Sequence, residues 1–75
     1  MFEKITEIIN YIRTKQGKDV IENIKLTDNL RSDLGLDSLD LAELTVRLES
    51  EFGIDIFEDG LVETVNEIIE KLKKS

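Results

Sequence analysis

Apolar residues recur at helical steps in three separate stretches of the chain. Phe2, Ile5, Ile8, Ile9 and Ile12 follow steps of three and four, with Glu3, Lys4, Thr6, Glu7 and Asn10 around them. That spacing predicts a helix with one buried stripe over about 2–16. Early Glu3 and Glu7 and late Arg13 and Lys15 suit its macrodipole. Gly17 stops it, because glycine takes the left-handed conformation without a Cβ penalty. A second helix is expected from Asp37-Ser38, either of which can cap it, to about Phe52, with Gly53 as its end. The third stretch opens on Thr64-Val65-Asn66-Glu67, a capping box in which Thr64 caps forward and Glu67 reaches back. Val65, Ile68, Ile69 and Leu72 form its stripe, and Lys71, Lys73 and Lys74 sit at its C-terminal end.

The connections carry apolar residues too. Between Lys18 and Asp37, Val20, Ile21, Ile24, Leu26, Leu30, Leu34 and Leu36 punctuate a mixed segment. A short helical turn near 19–24 fits, followed by a loop whose leucines pin it to the core. A loop of this length in a small domain is usually functional or disordered, and regular apolar anchors argue against disorder. Ile54 to Leu61 is apolar but short, and reads as a turn plus one turn of helix.

The second helix has more apolar positions than one face needs. Leu41, Leu44, Leu48 and Phe52 make a core stripe, while Leu39, Ala42 and Val46 make another, rotated away from it. A helix buried on two sides and a helix with a partner-facing strip both fit this spacing. Asp40 and Glu43 border the second stripe, and deep burial disfavours unpaired carboxylates, which shifts weight toward an exposed strip.

Composition narrows the chemistry. The 75 residues allow a single domain, 1–75, and include no cysteine, histidine or proline. Disulfides, Cys/His zinc sites, thiol nucleophiles and Ser-His triads are therefore excluded, and helix packing is left as the means of stability. The N-terminal residues hold no apolar run like that of a signal peptide, and no stretch approaches the roughly 18 apolar residues of a membrane span. A cytoplasmic monomer is the expectation.

The net charge is −7. Such a chain is not expected to bind nucleic acid, which needs a basic face. From Asp37 to Asp59 eight acids face one base, Arg47, whereas the rest of the chain balances at nine and nine. Charge so segregated points to docking on a basic partner. It also predicts crowded carboxylates with raised pKa values, so that salt or mild acid should stabilise the fold. A calcium loop is not expected at Asp55–Gly60, because Phe57 and Asn66 fall where ligands are required. No metal site is expected, and no carboxylate pair is placed for acid–base catalysis.

One constellation carries more specific information. Leu34-Gly35-Leu36-Asp37-Ser38-Leu39-Asp40 resembles the modification site of acyl carrier proteins, in which Asp-Ser-Leu follows a Leu-Gly loop and opens the second helix. The resemblance extends over nearly the whole chain, through the acidic second helix, Glu51-Phe52-Gly53-Ile54 and the final amphipathic helix opened by Thr64-Val65. It implies an all-α four-helix bundle with a short third helix. It implies covalent attachment of 4′-phosphopantetheine, drawn from coenzyme A, to Ser38, with Asp37 and Leu39 flanking it. A phosphopantetheinyl transferase would supply the base that the chain lacks, since a serine hydroxyl is a poor nucleophile on its own. The arm brings a thiol that holds cargo as a thioester, so the protein is expected to be a shuttle and not an enzyme. Its other expected partners are acyl-loading and acyl-processing enzymes of fatty-acid or polyketide type. They would dock on Leu39, Asp40, Ala42, Glu43 and Val46 through basic surfaces. Two alternatives stay open: a carrier of aminoacyl, peptidyl or D-alanyl groups, and a small acidic adaptor without a covalent cofactor.

Overall fold

The computed structural model describes residues 1–58, 60 and 62–73. In chain order it contains α1 (Phe2–Lys15), α2 (Ser38–Phe52) and α3 (Val65–Lys73), which bear out the all-α reading. The stripe of α1 faces inward, with Ile5, Ile9 and Ile12 buried and Phe2 and Ile8 packed at its edges. Its end closes as a Schellman motif: the Gly17 N–H donates to Thr14 O at 3.0 Å and the Lys18 N–H to Arg13 O at 3.1 Å, with Gly17 at φ 81°. These bonds satisfy carbonyls that the helix leaves without intrahelical partners.

Helix α2 runs antiparallel to α1. Lys4 meets Glu51 at 3.6 Å near one end, and Lys15 meets Glu43 at 2.8 Å near the other. Leu44 and Leu48 are fully buried between the helices, and Leu41 and Phe52 flank them half-buried. Helix α3 adds Val65, Ile68, Ile69 and Leu72 to the same core. Lys74 and Ser75 lie outside the described residues.

The segment from Gln16 to Asp37 has no helical turn at 19–24. The side chain of Asn10, on α1, takes both backbone groups of Ile21: its Nδ2 donates to Ile21 O at 3.0 Å, and its Oδ1 accepts from Ile21 N at 2.9 Å. That exchange gives the backbone an alternative to helical pairing. The expected anchors hold, since Ile24, Leu30, Leu34 and Leu36 are buried, whereas Val20 and Leu26 face solvent.

This loop also builds the start of α3. An isolated antiparallel bridge joins Asn29 to Thr64, and the Leu30 N–H donates to Glu63 O at 2.8 Å. The Val65 N–H donates to Asp28 O at 3.2 Å, the Asn66 N–H to Leu26 O at 2.9 Å, and the Glu67 N–H to Thr64 Oγ1 at 3.2 Å. The first donors of the helix thus find partners partly in a segment more than thirty residues earlier. Thr64 caps forward as expected. The Glu67 carboxylate reaches back to the Thr64 hydroxyl and the Glu63 N–H instead of the Thr64 N–H.

Between α2 and α3 the backbone closes two turns, from the Glu58 N–H to Asp55 O and from the Gly60 N–H to Phe57 O. The short third helix is thereby reduced to turns among the described residues. Asp59 and Leu61, which fall in that expected element, lie outside them. Ile56 and Val62 anchor the segment in the core. Among the described residues no helix is long and apolar enough to cross a membrane.

Candidate functional site

The start of α2 is fixed by two aspartates. Asp37 is its N-cap: the Asp37 side chain accepts from the Asp40 N–H at 2.9 Å, and the Asp40 side chain accepts from the Asp37 N–H at 2.9 Å. This is a capping box made of Asp and Asp. The hydrogen bond from the Asp40 N–H holds the Asp37 carboxyl below its ordinary pKa, against a smaller opposing effect of desolvation. Because Asp37 does the capping, the Ser38 hydroxyl is released from that task. Ser38 is the first residue of the helix and is exposed. Its Oγ accepts a hydrogen bond from the Arg31 guanidinium at 3.0 Å.

The loop before Ser38 is held from both sides. Asn29 Oδ1 accepts from the Arg31 and Ser32 N–H groups, Asp33 accepts from the Asn29 N–H, and the Leu36 N–H closes onto Leu30 O. Arg13 donates to Leu34 O, and Lys18 Nζ donates to Gly35 O at 2.6 Å. Gly35 sits at φ +71°, and a Cβ there would lie 3.2 Å from the Arg13 guanidinium. Glycine at this step is therefore favoured by backbone conformation, and the end of the Arg13 side chain would have to give slightly before any Cβ there.

Asp40 is not part of an exposed docking edge. It is only 2% exposed, and its carboxylate accepts from the Asp37 N–H and the Gln16 side-chain amide. Those amide donors and the helix start replace the solvent that an unpaired buried charge would need. Gln16 is the C-cap of α1, so this contact ties the end of one helix to the start of the next.

Glu43 is also less free than its place in an acidic run suggests. Lys15 and Arg47 both reach its Oε2 at 2.8 Å. Lys15 foremost, then Arg47, holds its carboxyl below the ordinary value. Arg47, raised in turn mainly by Glu43, lies 4.4 Å from the Tyr11 ring centroid. The expectation of raised carboxylate pKa values is corrected at Asp37 and Glu43. Segregation along the sequence is partly offset in space, because α1 lends Lys4 to Glu51 and Lys15 to Glu43.

The two readings of the second apolar stripe separate cleanly. Leu39 is 80% exposed, Val46 67% exposed, and Ala42 is exposed beside them. The strip faces solvent, directly after Ser38. On the other flank a groove of about 260 Å³ runs past Arg31, Ser38, Leu41, Ala42, Thr45 and Phe57. The structure thus brings Asp37, Ser38 and Leu39 together at the helix start, aligns Leu39, Ala42 and Val46 on one face, and turns Asp40 inward.

Several contacts have no regular signature in sequence. Arg31 lies seven residues before Ser38, and Gln16 twenty-four before Asp40, so no periodicity links either pair. The one available signal was the three-residue spacing of Asp37 and Asp40, which fits reciprocal capping.

The site suits an anion on Ser38: an exposed hydroxyl, free of capping duty, stands beside a guanidinium at a helix start. The profile of the family described as "Phosphopantetheine attachment site" matches residues 6–72. Among solved structures, the chain is similar to MacpD from Pseudomonas fluorescens, an acyl carrier protein involved in mupirocin biosynthesis. The two are 30% identical, with a TM-score of 0.77, over 93% of this chain and 65% of that one. This chain therefore spans slightly less than two thirds of the relative's length. The comparison with curated proteins gives no match. A match over most of the chain, on a fold that presents a serine in this way, leads to one conclusion: the chain belongs to the phosphopantetheine-binding family of carrier proteins, which carry their cofactor covalently and have no catalytic activity of their own.

Proposed function

We propose that this protein is an acyl carrier protein whose 4′-phosphopantetheine arm is attached to Ser38. The observation that carries this reading is the state of that serine: exposed, first in α2, and left free by Asp37, which caps the helix in its place. Attachment forms a bond from Ser38 Oγ to phosphorus and breaks the pyrophosphate bond of coenzyme A, from which adenosine 3′,5′-bisphosphate leaves. The hydroxyl proton passes to a base on the transferase, because the chain has no histidine to receive it. Free N–H groups and the dipole at the start of α2 favour the resulting phosphodiester. The arm supplies a thiol, which the polypeptide lacks, to hold cargo as a thioester.

Partner enzymes of fatty-acid or polyketide type would read the surface around that arm. The exposed strip of Leu39, Ala42 and Val46 is where we place their contact, with the acids of α2 steering basic surfaces toward it. Glu43 serves there as part of a Lys15–Glu43–Arg47 cluster, and Asp40 serves from inside as the support of the helix start. The setting we propose is a cytoplasmic monomer. The test is the cargo itself. Protein isolated from its native cells should carry an acyl mass that neutral hydroxylamine releases. Release of an aminoacyl group would replace this reading with the aminoacyl-carrier alternative.

A further inference from the structure

We infer that Arg31 is a clamp for the phosphodiester: once Ser38 is modified, its guanidinium pairs with the phosphate and fixes the base of the arm. The inference rests on the Ser38 reading above. Arg31 donates to Ser38 Oγ at 3.0 Å, so it already contacts the atom to which phosphorus would be bonded. Esterified, that oxygen becomes a poorer acceptor, and the charged oxygens on the adjoining phosphorus become the better ones. A guanidinium suits this exchange, since its planar fork of donors matches two phosphate oxygens at once.

The surroundings give the clamp a task. A phosphodiester on Ser38 would stand next to Asp37, whose carboxylate remains ionised as the cap of α2. Lys18 and Arg13 are the other nearby cations, and both are held on loop carbonyls, Lys18 Nζ on Gly35 O at 2.6 Å and Arg13 on Leu34 O. Arg31 alone among these cations bonds directly to the serine. Its position is also set in advance: the Arg31 N–H is held by Asn29 Oδ1 at 2.9 Å, and Asn29 is tied by backbone pairing to Thr64. A turn held by these bonds thus presents the side chain, so pairing needs no rearrangement of the fold. Arg31 also lines the groove together with Leu41 and Phe57, and from there a fixed phosphate would set the direction in which the arm departs.

The test compares wild type, Arg31→Gln and Arg31→Lys, each before and after modification with coenzyme A and a broad-specificity transferase. Peptide mass spectrometry first locates the added group. In the wild type, attachment should leave the melting temperature unchanged or raise it. In Arg31→Gln the same attachment should lower it by about 2–5 °C relative to the wild-type change, and 1 M salt should shrink that gap. Arg31→Lys, a point charge without the fork, should fall between. The wild type also gives a reading that needs no variant: the Arg31 Nε resonance should shift on modification, while that of Arg47, on the far face of α2, stays in place. Equal melting changes in wild type and Arg31→Gln, or an unmoved Arg31 resonance, with the group located on Ser38, would overturn the clamp and leave the Ser38 reading intact. A group located elsewhere would overturn both.

Discussion

A serine and an aspartate exchange roles at the start of α2. Asp37 takes the cap, and Ser38 keeps an exposed hydroxyl one position later. Removing that hydroxyl should therefore cost little: Ser38→Ala is expected to change stability by no more than about 0.5 kcal/mol in chemical denaturation, the range of ordinary surface substitutions. Asp40 presents the opposite case. Its buried carboxylate satisfies the Asp37 N–H and the Gln16 amide, so Asp40→Ala removes both hydrogen bonds from the start of α2. A loss of about 2 kcal/mol is expected by the same measurement, from a charged hydrogen bond and half of a capping box. Asp40→Ala should also slow modification of Ser38, because the turn that presents the serine loosens. A fully stable Asp40→Ala protein would contradict this assignment. Gly35→Ala should destabilise by about 1–2 kcal/mol through its positive φ alone.

At the scale of elements, the three helices were legible because each turns one apolar stripe inward, and that stripe is a property of spacing. The Schellman stop at Gly17 and the forward cap at Thr64 were legible because single residue types specify them. Three features were not. The coil at 19–24 results from Asn10, on another element and eleven residues before Ile21, whose amide takes the backbone of Ile21. The inward turn of Asp40 depends on Gln16, and the pairing of Glu43 on Lys15, both across the α1–α2 interface. Sequence periodicity sees one element at a time, so it read both acids as solvated. Spacing alone allows two readings of the second strip on α2, and the solvent exposure of Leu39 and Val46 decides between them. Docking through that strip predicts that Leu39→Ala raises the dissociation rate from the transferase roughly tenfold, about 1.4 kcal/mol, with little change in association. Glu3→Lys, on the exposed side of α1, should leave dissociation unchanged in the same stopped-flow measurement. A Glu3→Lys effect on dissociation as large as that of Leu39→Ala would show that the strip has no special part in docking.

For the whole molecule, charge and stability are linked with a definite sign. Asp37 and Glu43 have folded pKa values below their ordinary ones, through the Asp40 N–H and through Lys15 respectively. Groups of that kind contribute stability that is complete above the unfolded pKa, near 4, and is lost as pH falls through the folded value. Acidification from neutrality should therefore leave the melting temperature flat until about pH 5 and lower it below that. Glu43→Gln should flatten the fall. A melting temperature that instead rises between pH 6 and pH 4 would mean that repulsion among the acids outweighs these pairings.

We propose that the helical fold presents Ser38 for covalent loading. Intact and peptide mass spectrometry after incubation with coenzyme A and a phosphopantetheinyl transferase tests it most directly. The expected result is the mass of a single phosphopantetheine on the peptide containing Ser38, and no added mass on Ser38→Ala under the same conditions. Wild-type protein that gains no mass, or an alanine variant that is modified as readily as the wild type, would contradict it.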